Sequence, residues 1–426
     1  MSKFEKVIGY ETIKSELMQV CDMLKNREVY QELGAKVPNG VLLYGKPGLG
    51  KTLMARCFID ECKLEAFTIR KNKSENFVGY ITEIFKKAKE KSPSIIFLDD
   101  MDKFANEDNN HKDAEEYVAI QAGIDDVKGC DVFVLATANE IRKLPKSLTR
   151  SGRFDRCIEV CSPNSEDCLK IISHYLSNKK VSDDINIEDI SKMISYSSCA
   201  ELETIMNEAA ITAGYKRKEC IEMSDVVSAV LKMEYNSPDD FTKVSDAELK
   251  KIALHEAGHL IMSDILCPGS VGLASLRTRG RDSVGGFVRR CKKLPSAKCH
   301  ILVSLAGKAA VELNYGACAD GCESDIRRAY ECIRSEISEN GSMGFSMVEI
   351  SNHCFSVPSE SLNCRNEAVA QAELERYMFK AKEIIAKNKE YLEKTANALL
   401  EKETLLASDI EKIREETDIL MDYSNG

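Results

Sequence analysis

The residues best suited to chemistry lie near the middle of the chain, in Leu254-His255-Glu256-Ala257-Gly258-His259-Leu260. The pattern H-E-x-x-H has a mechanical meaning. On a helix, positions i and i+4 stand one above the other, so His255 and His259 can turn two imidazole nitrogens toward one zinc ion. Glu256 then lies beside the metal, where its carboxylate can take a proton from water. The flanking Ile252, Ala253, Leu260, Ile261 and Met262 are apolar, as expected of a helix buried beneath a cleft. The plainer alternative is a core helix whose two histidines are satisfied by ordinary hydrogen bonds. Two histidines are also one ligand short, because a catalytic zinc site takes three protein ligands and a water.

A second chemical motif stands far upstream. Gly45-Lys46-Pro47-Gly48-Leu49-Gly50-Lys51-Thr52 is a complete G-x-x-x-x-G-K-T, set between a strand expected at Val41–Tyr44 and a helix expected at Leu53–Glu61. Its glycines let backbone N–H groups wrap nucleotide phosphates, and the helix N-terminus adds its positive end. Lys51 is placed to reach the β- and γ-phosphates and Thr52 to hold magnesium. Further on, the apolar run Ser94–Leu98 ends in Asp99-Asp100. A continuous apolar strand fits a buried parallel strand, and its terminal acids would serve the magnesium site. Asp99 would act through the metal's water shell and Asp100 would orient the attacking water. Asn139 closes a fourth apolar strand, Val132–Thr137, at the end where ligands of open α/β sheets gather.

These motifs need elements to hold them. Expected strands at residues 41–44, 66–69, 94–98, 132–137 and 157–160, alternating with helices, predict a parallel α/β nucleotide domain over residues 1–162. Residues 163–236 carry helical periodicity only and read as a helical lid. The polar stretch Tyr235–Asp240 is the best linker in the chain. Residues 237–426 contain the H-E-x-x-H and read as mostly α-helical, with strand-like parts at 272–276 and 285–288. The final segment, Leu374 to Leu420, reads as charged amphipathic helices presenting a solvated face.

Composition sets limits. At 426 residues, with 43% hydrophobic and 30% charged residues, the chain is an ordinary globular protein of two or three domains. A net charge of −10 argues against a nucleic-acid or anionic-membrane binder, which needs a basic footprint. No apolar run approaches the length of a bilayer span, and Met1–Lys6 is no signal peptide, so a soluble cytoplasmic protein is expected. The 17 cysteines are scattered singly and are expected as reduced, mostly buried thiols. Cys318 and Cys322, four apart, lack zinc-knuckle spacing and read as structural.

An ATPase followed by H-E-x-x-H resembles the FtsH family of AAA zinc metalloproteases. The resemblance runs from about Phe4 to Ile413 and is carried by G-K-P-G-L-G-K-T, I-I-F-L-D-D, R-S-G-R-F-D-R, N-E-A-A, H-E-A-G-H, L-A-G-K-A-A-V-E and E-S-D-I in family order. It implies an ATP-dependent endopeptidase that unfolds, translocates and degrades proteins, using Zn2+, ATP and Mg2+. Arg150 and Arg153 then look like arginine fingers entering a neighbouring subunit's nucleotide site, which implies a ring, normally a hexamer. Asn139 is similar to the sensor of the γ-phosphate, and Phe77-Val78-Gly79 to the pore loop whose aromatic ring grips substrate. The missing zinc ligand would be Asp325, with Glu312 and Glu323 as competing carboxylates. Residues Leu276 to Phe287 resemble an edge strand that pairs with extended substrate.

Three departures stand out. Asp100 replaces the family's glutamate, which draws the carboxylate back by about 1.5 Å; misplacement on that scale can cost on the order of a hundredfold in rate. The spacing from Phe77 to Phe85 is about one helical turn short and lacks a second glycine. The family is membrane-anchored through segments preceding the ATPase, whereas here the ATPase begins almost at Met1, so either a soluble relative or a chain without its anchor is expected. A weakened ATPase whose peptidase cuts only unfolded polypeptides, and a remodelling scaffold with a silent peptidase half, are the competing readings.

Overall fold

The computed structural model describes residues 2–71, 76–105, 114–150, 152–237, 245–277, 285–316, 321–338 and 360–420. Its internal contacts divide the chain into two compact units, Met1–Lys179 with Tyr196–Asn207, and Lys180–Ser195 with Glu208–Gly426.

The first unit opens with α1 (Glu11–Lys25) and α2 (Arg27–Glu32). It then alternates β1 (Gly40–Tyr44), α3 (Lys51–Cys62), β2 (Glu65–Arg70), α4 (Phe77–Glu90), β3 (Ser94–Asp99), α5 (Ala114–Asp126), β4 (Val132–Ala138), β5 (Arg156–Glu159) and α6 (Ser165–Leu176). The five strands form one parallel sheet in the order β2-β3-β4-β1-β5. Every residue of β3 and β4 is buried, whereas edge strand β2 is mostly half-exposed. That is why β3 and β4 read as unbroken apolar runs: helices cover both faces of a parallel sheet, so neither face can be polar. Adjacency of β3, β4 and β1 brings the carboxyl ends of three strands together, carrying Asp99, Asn139 and the phosphate loop respectively.

The residues expected as a lid are shared out. After α6 come α7 (Ile187–Met193), in the second unit, α8 (Cys199–Tyr215), whose two ends fall in different units, and α9 (Met223–Tyr235), in the second unit. The second unit continues with α10 (Asp246–Leu266), β6 (Val271–Ser275), β7 (Phe287–Arg290), α11 (Ala297–Tyr315), α12 (Glu323–Ser338), α13 (Glu360–Lys387), α14 (Lys389–Lys402), β8 (Thr404–Leu406) and α15 (Ala407–Glu415). Strands β7-β6-β8 form an antiparallel sheet. Strand β8, inside the charged C-terminal segment, is invisible to helical periodicity because it is three residues long and docks on β6. Nor is that segment merely a solvated face: Tyr377, Ile384, Ile385, Tyr391, Leu392 and Leu399 are buried with α10 and α11 in one core.

Helix α10 starts at a capping box, in which Ser245 and Glu248 each satisfy the other's backbone N–H. It packs on α11, α14 and β6 and is buried almost all round through its second half. Its approach to α11 leaves no space for a side chain at Gly258, where a Cβ would lie 2.6 Å from the Ala306 carbonyl oxygen and 2.8 Å from the Ala310 methyl. Arg414 and the Tyr391 hydroxyl, at 2.9 and 3.0 Å, neutralise and satisfy buried Asp264 on the same helix. Among the described residues no helix is long and apolar enough to cross a membrane. The described cysteines are free thiols, but only Cys21, Cys57, Cys62, Cys168 and Cys322 are fully buried, fewer than expected.

The tight crossing yields a test. Replacing Gly258 with valine should force α10 and α11 apart and cost about 2 kcal/mol, the usual scale for overpacking a close-packed core. A urea titration followed by circular dichroism would read the loss; an unshifted midpoint would mean that the crossing relaxes freely.

Candidate functional site

The second unit's site is built at the α10–α11 crossing. His255 and His259 occupy one face of α10, and α12 brings Asp325 to the same point from its first turn. The Asp325 Oδ2 atom lies 3.2 Å from the Nε2 atom of each histidine, and the two Nε2 atoms are 3.0 Å apart. Among the described residues these three are the group of His, Cys, Asp or Glu side chains able to converge on one metal ion.

The surrounding atoms fit such a role. The His259 Nδ1–H donates to the Val303 carbonyl at 2.7 Å, which fixes the tautomer and leaves Nε2 with its lone pair turned inward. The His255 Nδ1 faces the Cys322 sulfur at 3.9 Å, and Arg328 lies 3.6 Å from the second Asp325 oxygen. Gly307 on α11 permits the close approach of both imidazoles, since a Cβ there would lie 2.5 Å from His259 Nε2 and 2.7 Å from His255 Nε2. Two imidazoles and a carboxylate form a zinc-type donor set. Burial alone would raise the Asp325 carboxyl, but the hydrogen bonds with His255 and His259 outweigh it and hold the group well below the usual carboxylate range.

The competing carboxylates are engaged elsewhere. Glu312 is clamped by Lys308 and Lys382, each at 2.7 Å. Glu323 points to solvent and pairs with Arg327. Glu256, the residue after the first histidine, is only 5% exposed, and burial pushes its carboxyl up to about 7. Gly286 at the start of β7 closes over it, since a Cβ there would meet the Glu256 Cγ at 2.6 Å. A carboxylate balanced near neutrality and held in a dry slot is suited to taking and returning a proton. Of the stretch expected as a substrate-pairing edge, residues 278–284 lie outside the described residues, and the rest flanks β6 and β7.

The first unit's site gathers at the ends of β1, β3 and β4. Positive φ angles at Gly45, Gly48 and Gly50 shape the phosphate loop, and a Cβ on Gly45 would lie 2.1 Å from the Val160 carbonyl oxygen. Pro47 is exposed on the loop, and the Ala200 amide at the start of α8 donates to the Gly48 carbonyl at 3.0 Å. The Lys51 ammonium donates to the carbonyls of Gly45 and Lys46 and, at 2.9 Å, to the Asn139 side-chain oxygen. Burial lowers the Lys51 pKa, and the charges of Asp100 and Asp102 offset part of that. Asp99 accepts from Thr52 at 3.0 Å and from Thr137 at 2.9 Å, and the Thr137 hydroxyl oxygen accepts the Asp100 amide. Asp102 fixes the strand end by accepting the Asn139 amide at 3.0 Å.

Asp100, Arg153 and the Phe77-Val78-Gly79 stretch are placed differently from the sequence reading. Asp100 has a left-handed backbone, φ 55°, and its carboxylate is paired at 2.6 Å with Lys103 rather than standing free. Arg153 holds Asp125 and the Ser147 carbonyl of its own chain, which leaves exposed Arg150 as the arginine on the surface. Phe77 does not project from a loop. It opens α4 and is 4% exposed, packed against Tyr80 and edge-on to Phe104 at 5.6 Å, because an aromatic ring in a helix's first turn is better buried than wetted. Val78 and Gly79 continue that helix half-buried, with the Gly79 amide capped by Asn76. Cys322, read as structural from spacing, backs a histidine of the convergent group; Cys318 lies outside the described residues. Val303 and Gly307 escaped notice as site residues, although Gly307 sits inside the quoted L-A-G-K-A-A-V-E motif.

A P-loop sheet and an H-E-x-x-H helix with a convergent aspartate define the class, and comparison with known proteins agrees. Residues 41–162 match the ATPase family associated with various cellular activities (AAA), and residues 242–413 match peptidase family M41. The chain is 33% identical to the ATP-dependent zinc metalloprotease FtsH of Leptotrichia buccalis, an alignment covering 96% of this chain and 57% of that protein. Its counterpart in Streptobacillus moniliformis is also 33% identical, with 96% and 63% covered, and that of Caldicellulosiruptor bescii is 30% identical, with 96% and 71% covered. The chain belongs to the FtsH family. It spans about three fifths of the length of the first two relatives.

Gly307 offers a direct check on the seat. Gly307→Ala should weaken zinc binding by about tenfold, the scale seen when the surroundings of metal ligands are disturbed. Competition against a chromophoric chelator reads the affinity, and an unchanged value would mean that zinc does not sit between these imidazoles.

Proposed function

We propose that the chain is an ATP-driven zinc endopeptidase, working as a ring of identical subunits, by family resemblance a hexamer, that pulls protein substrates through its ATPase domains and cleaves them. Its domains are then residues 1–162 for the ATPase, 163–236 for the lid and 237–426 for the peptidase. The observation that carries this reading is the convergence of His255, His259 and Asp325 beside buried Glu256, on a chain that also holds a complete phosphate loop.

His255, His259 and Asp325 would hold zinc. When bound, the ion supplies Lewis acidity that makes water more acidic and polarises a peptide carbonyl. Glu256 takes the proton of the attacking water and delivers it to the departing amine, a sequence suited to a carboxyl whose buried pKa is near neutral. In the ATPase, the loop amides and Lys51 would grip the phosphates, Thr52 would hold magnesium with Asp99 acting through its water shell, and Asn139 would sense the γ-phosphate. Asp100 orients water, and Arg150 serves the neighbouring subunit. Arg153, bound to Asp125, supports the loop that carries Arg150.

A second reading is favoured by two observations, the short Asp100 carboxylate paired with Lys103 and the buried Phe77 ring. In it the ATPase turns over slowly and the peptidase cuts only polypeptides that are already unfolded. A stably folded tagged protein and an unfolded one, incubated with the purified chain, zinc and magnesium, separate the two. ATP-dependent loss of the folded protein supports the unfoldase; loss of the unfolded one alone, at equal rates without ATP, supports the second reading.

Two substitutions test the assigned roles. Glu256→Gln should abolish cleavage, by at least about a hundredfold, with zinc still bound; cleavage at wild-type rate would remove Glu256 from the chemistry. Arg150→Ala should cut ATP turnover at least about tenfold with nucleotide binding retained, whereas full turnover in this variant would argue against a finger at that position.

A further inference from the structure

Lys103 has no role in binding nucleotide or metal in the function proposed above, yet its ammonium lies 2.6 Å from the Asp100 carboxylate, three residues back along the chain. We propose that Lys103 is a positioning residue that restrains ATP hydrolysis by holding the Asp100 carboxylate away from the attacking water; this rests on the ATPase part of the function proposed above.

The argument begins with the backbone. Asp100 sits at φ 55° with its amide bonded to the Thr137 hydroxyl, and that hydroxyl is bonded in turn to Asp99. The main chain at Asp100 is therefore tied to the groups that would hold magnesium, and it cannot shift forward to make up for a short side chain without breaking that chain of bonds. Reach must come from side-chain rotation alone. Rotation is what Lys103 opposes, since a charge-assisted hydrogen bond holds the carboxylate on the side of the short helical turn Met101–Lys103. The pairing also leaves the carboxylate less free to align water, because one oxygen is already committed to a cation.

The geometry sets the size of the effect. The Lys103 side chain is 56% exposed and that of Asp100 19%, so water screens the pair and the restraint is a modest one. The Lys103 side chain is exposed, and its removal leaves Asp99, Thr52, Lys51 and Asn139 with their own bonds intact. The lysine thus sets how fast a site with a shortened acid can run, rather than whether the site forms.

Steady-state ATP hydrolysis by the full-length chain, with magnesium, tests this. Lys103→Ala should raise kcat by about fivefold, the upper range for release of a surface pair, with KM for ATP changed by less than about twofold. Lys103→Ala combined with Asp100→Asn should show no such gain, because the released group is the Asp100 carboxylate. An exposed lysine elsewhere on the same unit, replaced in Lys146→Ala, controls for loss of charge. A merely structural lysine would lower kcat or shift KM on removal, and an unchanged or reduced kcat in Lys103→Ala overturns the proposal while leaving the ATPase standing. Binding of a fluorescent ATP analogue with no turnover in either wild type or Lys103→Ala would overturn both the proposal and the ATPase reading.

Discussion

The peptidase half depends on how closely α10 and α11 approach. Gly258 lets the Ala306 backbone come within reach, and Gly307, one residue further along α11, lets two imidazoles close against that helix. The same approach delivers the Val303 carbonyl to His259, so one helix crossing fixes the tautomer of one histidine and the seat of both on α11. Three lone-pair donors drawn to within 3.2 Å of one another repel unless a cation or a proton sits among them. That repulsion is the physical reason to read the arrangement as a metal seat rather than as core.

The ATPase half rests on a different constraint. A parallel sheet directs every strand's carboxyl end the same way, so acids, asparagine and phosphate loop meet wherever strand order makes β3, β4 and β1 neighbours. The hydroxyl of Thr137 then joins Asp99 to the backbone of Asp100 and holds both acids in fixed positions. In such a frame a side chain shorter by one carbon is not absorbed by backbone drift. The consequence is local, which is why the pairing of Asp100 with Lys103 bears on rate and not on fold.

Much of this was legible in the chain itself. Strands β1, β3 and β4 announced themselves as apolar runs because both of their faces are covered, whereas edge strands β2 and β5 carry more polar residues, and H-E-x-x-H announced itself because helical spacing is regular. What escaped had physical causes. Strand β8 is too short for a periodic signal and exists because β6 offers an open edge. Phe77 matched a loop motif by type and spacing, but the motif cannot say which way the ring faces, and the ring turned into the core. Arg153 matched its motif too, yet Asp125, far away in sequence, had first claim on it.

By itself the sequence determined which residues could do chemistry and on which elements they ride, because local spacing and local apolar pattern fix helix, strand and loop. It offered three carboxylates for a third metal ligand, of which the family resemblance favoured Asp325. Tertiary structure separated them, since Lys308 and Lys382 occupy Glu312, Glu323 faces solvent, and of the three Asp325 meets both imidazoles. It also decided what stands behind each ligand, placing Val303, Cys322 and Arg328 around the site. Such contacts join residues tens of positions apart, and no local pattern encodes a distance across a packed core.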